Sequence, residues 1–145
     1  MELPIQESVL RDIYHRRNIV PTEDQLNILI QFIGRKLKRV IDWAVQFTLH
    51  SGFSTLREDH VFEAFRTNHV NVSAEIIQTC TVKYYIPASV FGRMVRMFGN
   101  DAATTFAHYP HAILNKNIRY SKNAMSCLQR YIEWLIDNEF PFTSS

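Results

Sequence analysis

Residues 40–65 read VIDWAVQFTLHSGFSTLREDHVFEAF. The stretch holds the end of one long helix, a stop, and a second, shorter helix. Upstream of the stop, Leu26, Leu29, Ile30, Ile33, Leu37, Val40, Ala44 and Phe47 recur at the three- and four-residue steps of a single helical face. Ile28, Phe32, Ile41 and Trp43 carry apolar character around the sides. The expected helix ends near Leu49 after about 28 residues, roughly 40 Å at 1.5 Å per residue. A stripe so long and wide cannot be covered by two short neighbours. It demands a second long helix crossing it.

The flanks set the boundaries. In ESVLRDIYHRR, Val9, Leu10, Ile13 and Tyr14 predict a short amphipathic helix, stopped by Asn18 and Pro21. Thr22 caps the long helix, and Glu23 and Asp24 fill its first turn, where the helix dipole favours acids. Gly52 suits a helix end, and Glu58 and Asp59 open the third helix, EDHVFEAF.

A related order then begins again. After the polar stretch RTNHVNVSAEIIQTCTVKYY, the segment PASVFGRMVRMFG predicts a short helix with Val90, Phe91, Met94, Val95, Met97 and Phe98 on its apolar side. A long loop, NDAATTFAHYPHAILNKN, leads to YSKNAMSCLQRYIEWLIDNEF, a helix expected over 121–140. Met125, Leu128, Ile132 and Leu135 stand at helical spacing, with Cys127, Tyr131 and Trp134 beside them; Ser121 is its cap and Pro141 its end. The second long helix demanded by the first is present in the same chain.

Bulk properties agree. A chain of 145 residues, 46% hydrophobic, with four Gly and five Pro, suits one compact helical unit or two small ones sharing a core. A net charge of +2 and a pI near 8.6 predict no nucleic-acid partner by themselves. Cys80 and Cys127 lack CxxC spacing and read as reduced, packed thiols. MELPIQESVL has no basic flank followed by an apolar run, and nothing approaches the ~20 apolar residues of a membrane span. A soluble, intracellular protein without membrane contact is expected.

Short–long–short helices paired through their long members describe the histone fold, and here the residues resemble it too. The stretch 7–65 is similar to histone two-B in ESVLRDIY, in the Phe32–Leu37–Arg39 spacing and in STLRED. FGRMVRMF, with its Gly-Arg-x-x-Arg, and IRYSKNAMSCLQRYIEWL, with a loop arginine, resemble histone two-A. In this order the halves look like the fused histone doublets of Marseillevirus-like giant viruses. The resemblance implies an all-α fold of two tandem histone folds, 1–72 and 73–145, clasped as an intramolecular handshake, the second truncated.

It also implies a DNA role. Arg93 and Arg96 match first-helix arginines of histone two-A, and Arg119 matches the one inserted in the minor groove. Tyr14, Thr22, Ser54 and Thr55 match phosphate contacts on the histone two-B side. Plainer roles fit the same residues: Arg93 and Arg96 as a solvated helix face, Ser54 and Thr55 as turn or cap residues. The implied partners are double-stranded DNA and a histone three–four-type doublet or histones, with self-association open. The implied setting is chromatin-like: virion, viral factory or host nucleus.

The sequence also departs from the family. Lysine-rich tails are absent, the second half stops before a third helix, and the loop between Arg96 and Arg119 is longer. Phe53 replaces an arginine, and Asn138 and Pro141 replace acidic-patch glutamates. A low-charge, tailless pair also fits a histone-fold interaction module with little DNA contact.

Other chemistry finds no support. His108 and His111 flank Pro110 in a turn without Cys or carboxylate companions, so no metal site is expected. There is no GxSxG, P-loop or GxGxxG, and Glu133, Asp137 and Glu139 read as a polar helix face. Neither an enzyme nor a cofactor or small-molecule substrate is expected. The cationic run Arg35, Lys36, Lys38 and Arg39 sits mid-helix, away from loop ends, and reads as a solvated face or a contact for an acidic partner.

Overall fold

In the computed structural model of the chain, the described residues are 11, 14–15, 18–70, 88–105 and 118–138. Val9, Leu10 and Ile13 of the expected first helix lie outside them, as do the 71–87 linker with Cys80, the 106–117 loop with His108 and His111, and residues 139–145. The described elements are α1 (Glu23–His50), β1 (Thr55–Leu56), α2 (Glu58–Thr67), α3 (Ala88–Thr105), β2 (Arg119–Tyr120) and α4 (Lys122–Asn138). The expected all-helical character holds, apart from two strands of two residues each.

Helix α1 starts and stops where its sequence dictates. Gln25 N–H donates to Thr22 Oγ1 at 3.1 Å, and Thr22 N–H donates to Gln25 Oε1 at 2.8 Å, a reciprocal capping box. At the far end Gly52 takes φ +78°, its N–H reaches Leu49 O at 3.0 Å, and Phe53 N–H reaches Thr48 O at 3.1 Å. This left-handed ending satisfies carbonyls that the last turn leaves without helical partners. Helix α2 ends the same way at His69 (φ 55°), with Val70 N–H on Phe65 O at 2.9 Å. The helical residues before Asn18 (φ 58°) repeat it, with Ile19 N–H on Tyr14 O at 2.9 Å.

The buried stripe of α1 comprises Leu26, Leu29, Ile33, Leu37, Val40, Ile41, Ala44, Val45, Thr48 and Leu49. Ile30, Phe32 and Phe47 are only partly buried, while Ile28 and Trp43 are exposed. Thr48 is tolerated inside because its hydroxyl donates to Ala44 O at 2.7 Å.

Helix α3 is longer than its sequence suggests. The short helix expected to end near Gly99 runs on to Thr105. Phe91, Met94, Val95, Phe98 and Ala102 keep the three- and four-residue rhythm across Asn100 and Asp101, and Ala102 and Ala103 are buried. The polar residues Asn100 and Asp101 do not stop a helix whose buried side continues.

All four described helices contribute to one core. Tyr14, Leu37, Leu56, Phe65, Phe91, Ile118, Leu128 and Tyr131 belong to the same buried cluster. The join differs from a simple crossing of long rods. Helix α1 packs chiefly on α2 and α3, α2 packs on α4, and α1 meets α4 over a shorter stretch. Phe65 of α2 and Tyr131 of α4 make that second contact, with ring centroids 4.9 Å apart. Helices α2 and α3 therefore carry much of the pairing.

The left-handed stops give opposite expectations for two substitutions. His69→Gly removes a side-chain clash from a φ of 55° and raises unfolding free energy by about 0.5–1 kcal/mol. Gly52→Ala introduces that clash and lowers it by about 1 kcal/mol or more, read by urea denaturation.

Candidate nucleic-acid interface

The loop after α1 and the segment before α4 meet edge to edge. Strands β1 and β2 run parallel, with Thr55 opposite Arg119 and Leu56 opposite Tyr120. Arg119 N–H donates to Ser54 O at 3.2 Å, and Ser121 N–H donates to Leu56 O at 2.9 Å. Leu56 and Ile118 are buried, whereas Ser54 and Arg119 are exposed and Thr55 is half-buried. Within the paired residues the pleat turns Leu56 and Tyr120 toward the core and Thr55 and Arg119 away from it.

Strand β2 is fixed to α3 by two side-chain bonds. Ile118 N–H donates to Asn100 Oδ1 at 3.2 Å, and the Tyr120 hydroxyl donates to Val95 O at 2.6 Å. A Cβ on Gly99 would lie inside contact distance of the Tyr120 hydroxyl and ring, so glycine makes this seat. Burial pushes the Tyr120 phenol well above its ordinary value, nearby Arg96 pulls it back and Asp42 adds to the rise. The phenol stays protonated as a donor.

Parallel pairing sends two helices off the same end of the bridge, α2 from Glu58 and α4 from Lys122. Helix N-termini attract anions, but the two differ. Helix α2 carries Glu58 and Asp59 in its first turn, which oppose a phosphate there. Helix α4 has no acid in its first turn and begins with Lys122 and Asn123; Ser121 Oγ caps it, accepting from Ala124 N–H at 3.1 Å. The expected cap is in place, and the anion-favouring end lies beside Arg119.

The residues expected to touch DNA divide into groups. Ser54, Thr55 and Arg119 come together at the bridge. Arg96 is exposed and close enough to Tyr120 to influence it, and Arg93 is exposed one turn earlier on α3. Thr22 stands at the opposite end of α1, roughly 40 Å away along the helix, with its hydroxyl engaged as a cap. Tyr14 is only 1% exposed and packs in the core, so its ring offers almost no surface to a phosphate. The sequence reading missed Arg57 and Lys122. Arg57 is exposed beside the bridge with its guanidinium 5.2 Å from the Phe53 ring centroid; it follows strand residue Leu56 directly, and exposed Lys122 comes two residues after Tyr120.

His60 closes this corner. Its Nδ1 accepts Arg57 N–H at 3.0 Å, doing for α2 what Gln25 does for α1. Burial lowers the His60 pKa from 6.5; Asp59 opposes that shift and Arg57 adds to it. Cys127 is buried, and burial, reinforced by Glu58 and opposed by Arg130, pushes its thiol up to about 11. It is a packed thiol rather than a nucleophile. Among the described residues no group of three or more His, Cys, Asp or Glu side chains could hold a metal ion. No described helix is long and apolar enough to cross a membrane.

Two outcomes follow from this corner. Because the folded-state pKa of His60 is lowered, its acceptor role is fully present above pH 6.5 and is lost as pH falls below that value. His60→Gln keeps an acceptor that does not titrate, so its stability relative to the parent rises on acidification, as urea midpoints from pH 7.5 to 5 will read. Gly99→Ala displaces Tyr120, costs about 1–3 kcal/mol, and speeds hydrogen exchange of the Arg119 and Ser121 amides. Comparison with protein-family models, with curated proteins and with solved structures finds no match to this chain.

Proposed function

We propose that the chain is a pair of histone folds in one polypeptide, of the viral histone-doublet type, with residues 1–72 and 73–145 as its halves. In this reading it is an architectural protein, not an enzyme, that packages double-stranded DNA into nucleosome-like particles together with a histone three–four-type partner. It resides with that DNA, in the virion, viral factory or host nucleus.

The observation that carries the reading is the parallel pairing of Thr55–Leu56 with Arg119–Tyr120. Ser54, Thr55 and Arg119, three positions that the resemblance assigns to DNA, lie together there. Exposed Arg57 and Lys122 and the acid-free N-terminus of α4 add to the same positive corner. Arg93 and Arg96 extend it along α3. The shared core supports the reading as well, since each half leaves apolar surface that the other covers.

A second reading, a histone-fold module that binds proteins with little DNA contact, is favoured by other observations. Tyr14 is buried, Thr22 is spent as a cap, Glu58 and Asp59 oppose phosphate at α2, and the net charge is only +2. Nuclease-sensitive association with histone-like partners supports packaging; nuclease-resistant association with non-histone partners supports the second reading.

Charge arithmetic sets the expected strength. Each neutralised phosphate contributes about 0.9 to the slope of log affinity against log salt, so three to six contacts give slopes of about −3 to −5. Binding of the chain alone is then useful at low salt and weak at physiological salt. Fluorescence anisotropy of a labelled duplex, titrated across salt, will show such a slope. Changing Arg93, Arg96 and Arg119 together to Ala will reduce its size by about 2–3. A slope near zero, or one untouched by the triple change, removes the DNA role.

A further inference from the structure

The outer side of α1 carries a row of residues that no role above absorbs. Ile28, Phe32, Arg35, Arg39 and Trp43 follow one another at steps of four, three, four and four, which keeps them on one helical face. Leu29, Ile33, Leu37 and Ala44 occupy the buried side. Ile28 is 54% and Trp43 is 36% exposed, and Arg35 and Arg39 are exposed between them. Lys36 flanks the row with its ammonium 5.5 Å from the Phe32 ring centroid. The row is about 22 Å long, the length of some four helical turns.

Among the described residues most of its charge is uncompensated. Lys38 is paired with Asp42 at 3.3 Å, but Arg35, Lys36 and Arg39 have no carboxylate partner among the described residues. Arg35 and Arg39 are like charges at i,i+4, an arrangement that opposes the helix carrying them. Apolar side chains stand exposed at both ends of this cationic centre. A phosphate backbone neutralises cations but gives Ile28 and Trp43 nothing to pack on. A carboxylate-bearing helix does both, since guanidinium groups pair with carboxylates through parallel hydrogen bonds while apolar residues cover the two ends.

We propose that the Ile28–Phe32–Arg35–Arg39–Trp43 face of α1 docks an acidic amphipathic helix of a partner protein, with carboxylates against Arg35, Lys36 and Arg39 and apolar side chains over Ile28 and Trp43. This face lies along the middle of α1 and offers apolar ends that a phosphate backbone does not cover, so it serves a partner other than the DNA of the proposed function and stands or falls separately from it.

The test uses the full chain and a fluorescein-labelled amphipathic peptide of about four turns. The peptide carries Glu residues at the centre of one face and Leu at both ends. A scrambled peptide of the same composition and a labelled DNA duplex form the other arms. The designed peptide binds and the scrambled one binds at least about tenfold more weakly. Arg35→Ala with Arg39→Ala weakens peptide binding about tenfold, Trp43→Ala weakens it about fivefold or more, and duplex binding is unchanged by either. Arg35→Gln with Arg39→Gln, which keeps part of the aliphatic stems, gives the same loss with an unaltered melting curve. Equal binding of both peptides, no binding of the designed one, or no response to these changes overturns the proposal. Loss of duplex affinity matching the loss of peptide affinity also overturns it and identifies a nucleic-acid face instead.

Discussion

The constraint on which the rest depends is the width of the apolar stripe on α1. Ten of its 28 residues are buried, and they spread over close to half the circumference. Helix α2, ten residues long, can cover only the C-terminal part of that surface. The remainder must be covered by α3 and α4, so the two halves of the chain have no separate cores to fold around. Burying side chains such as Leu26, Leu37 and Phe91 at roughly 1.5–3 kcal/mol each outweighs a loop-closure cost that grows only slowly with linker length. Joining the halves in one chain makes the pairing intramolecular and independent of concentration.

Once that stripe is covered, the ends of the helices are constrained as well. Asn18, Gly52 and His69 each take a positive φ that ends a helix and turns the chain back toward the core. The turn at Gly52 delivers Phe53 and Ser54 to the strand that meets Arg119. The bridge bonds, from Arg119 and Ser121 N–H to Ser54 and Leu56 O, hold the first turn of α4 beside exposed Arg57 and Arg119. The same geometry that closes the core therefore creates a corner where basic groups, hydroxyls and a helix N-terminus converge.

Much of this was legible in residue patterns. The long helix, its Thr22 cap, its Gly52 stop and the Ser121 cap all depend on local chemistry and appear where the sequence puts them. The extension of α3 past Gly99 did not show, because Asn100 and Asp101 read as a loop start while the burial of Ala102 and Ala103 depends on distant neighbours. The bridge was equally hidden: two residues per strand leave no alternation to detect, and their pairing joins positions far apart in the chain. At the candidate interface, exposure separated residues that sequence treated alike. Ser54 and Arg119 face solvent together, whereas Tyr14 went to the core and Thr22 to a cap, since a hydroxyl's partner is set by what surrounds it.

The β1–β2 bridge also bears on how the molecule is made. Its first strand leaves the ribosome well before its second, and during that interval α1 and α2 exist with their shared apolar side bare. A nascent chain in this condition is vulnerable to association with its own copies, and completion of synthesis ends the exposure at once because the missing cover is tethered to it. The interval between synthesis of the two strands thus sets how long that apolar side stays bare.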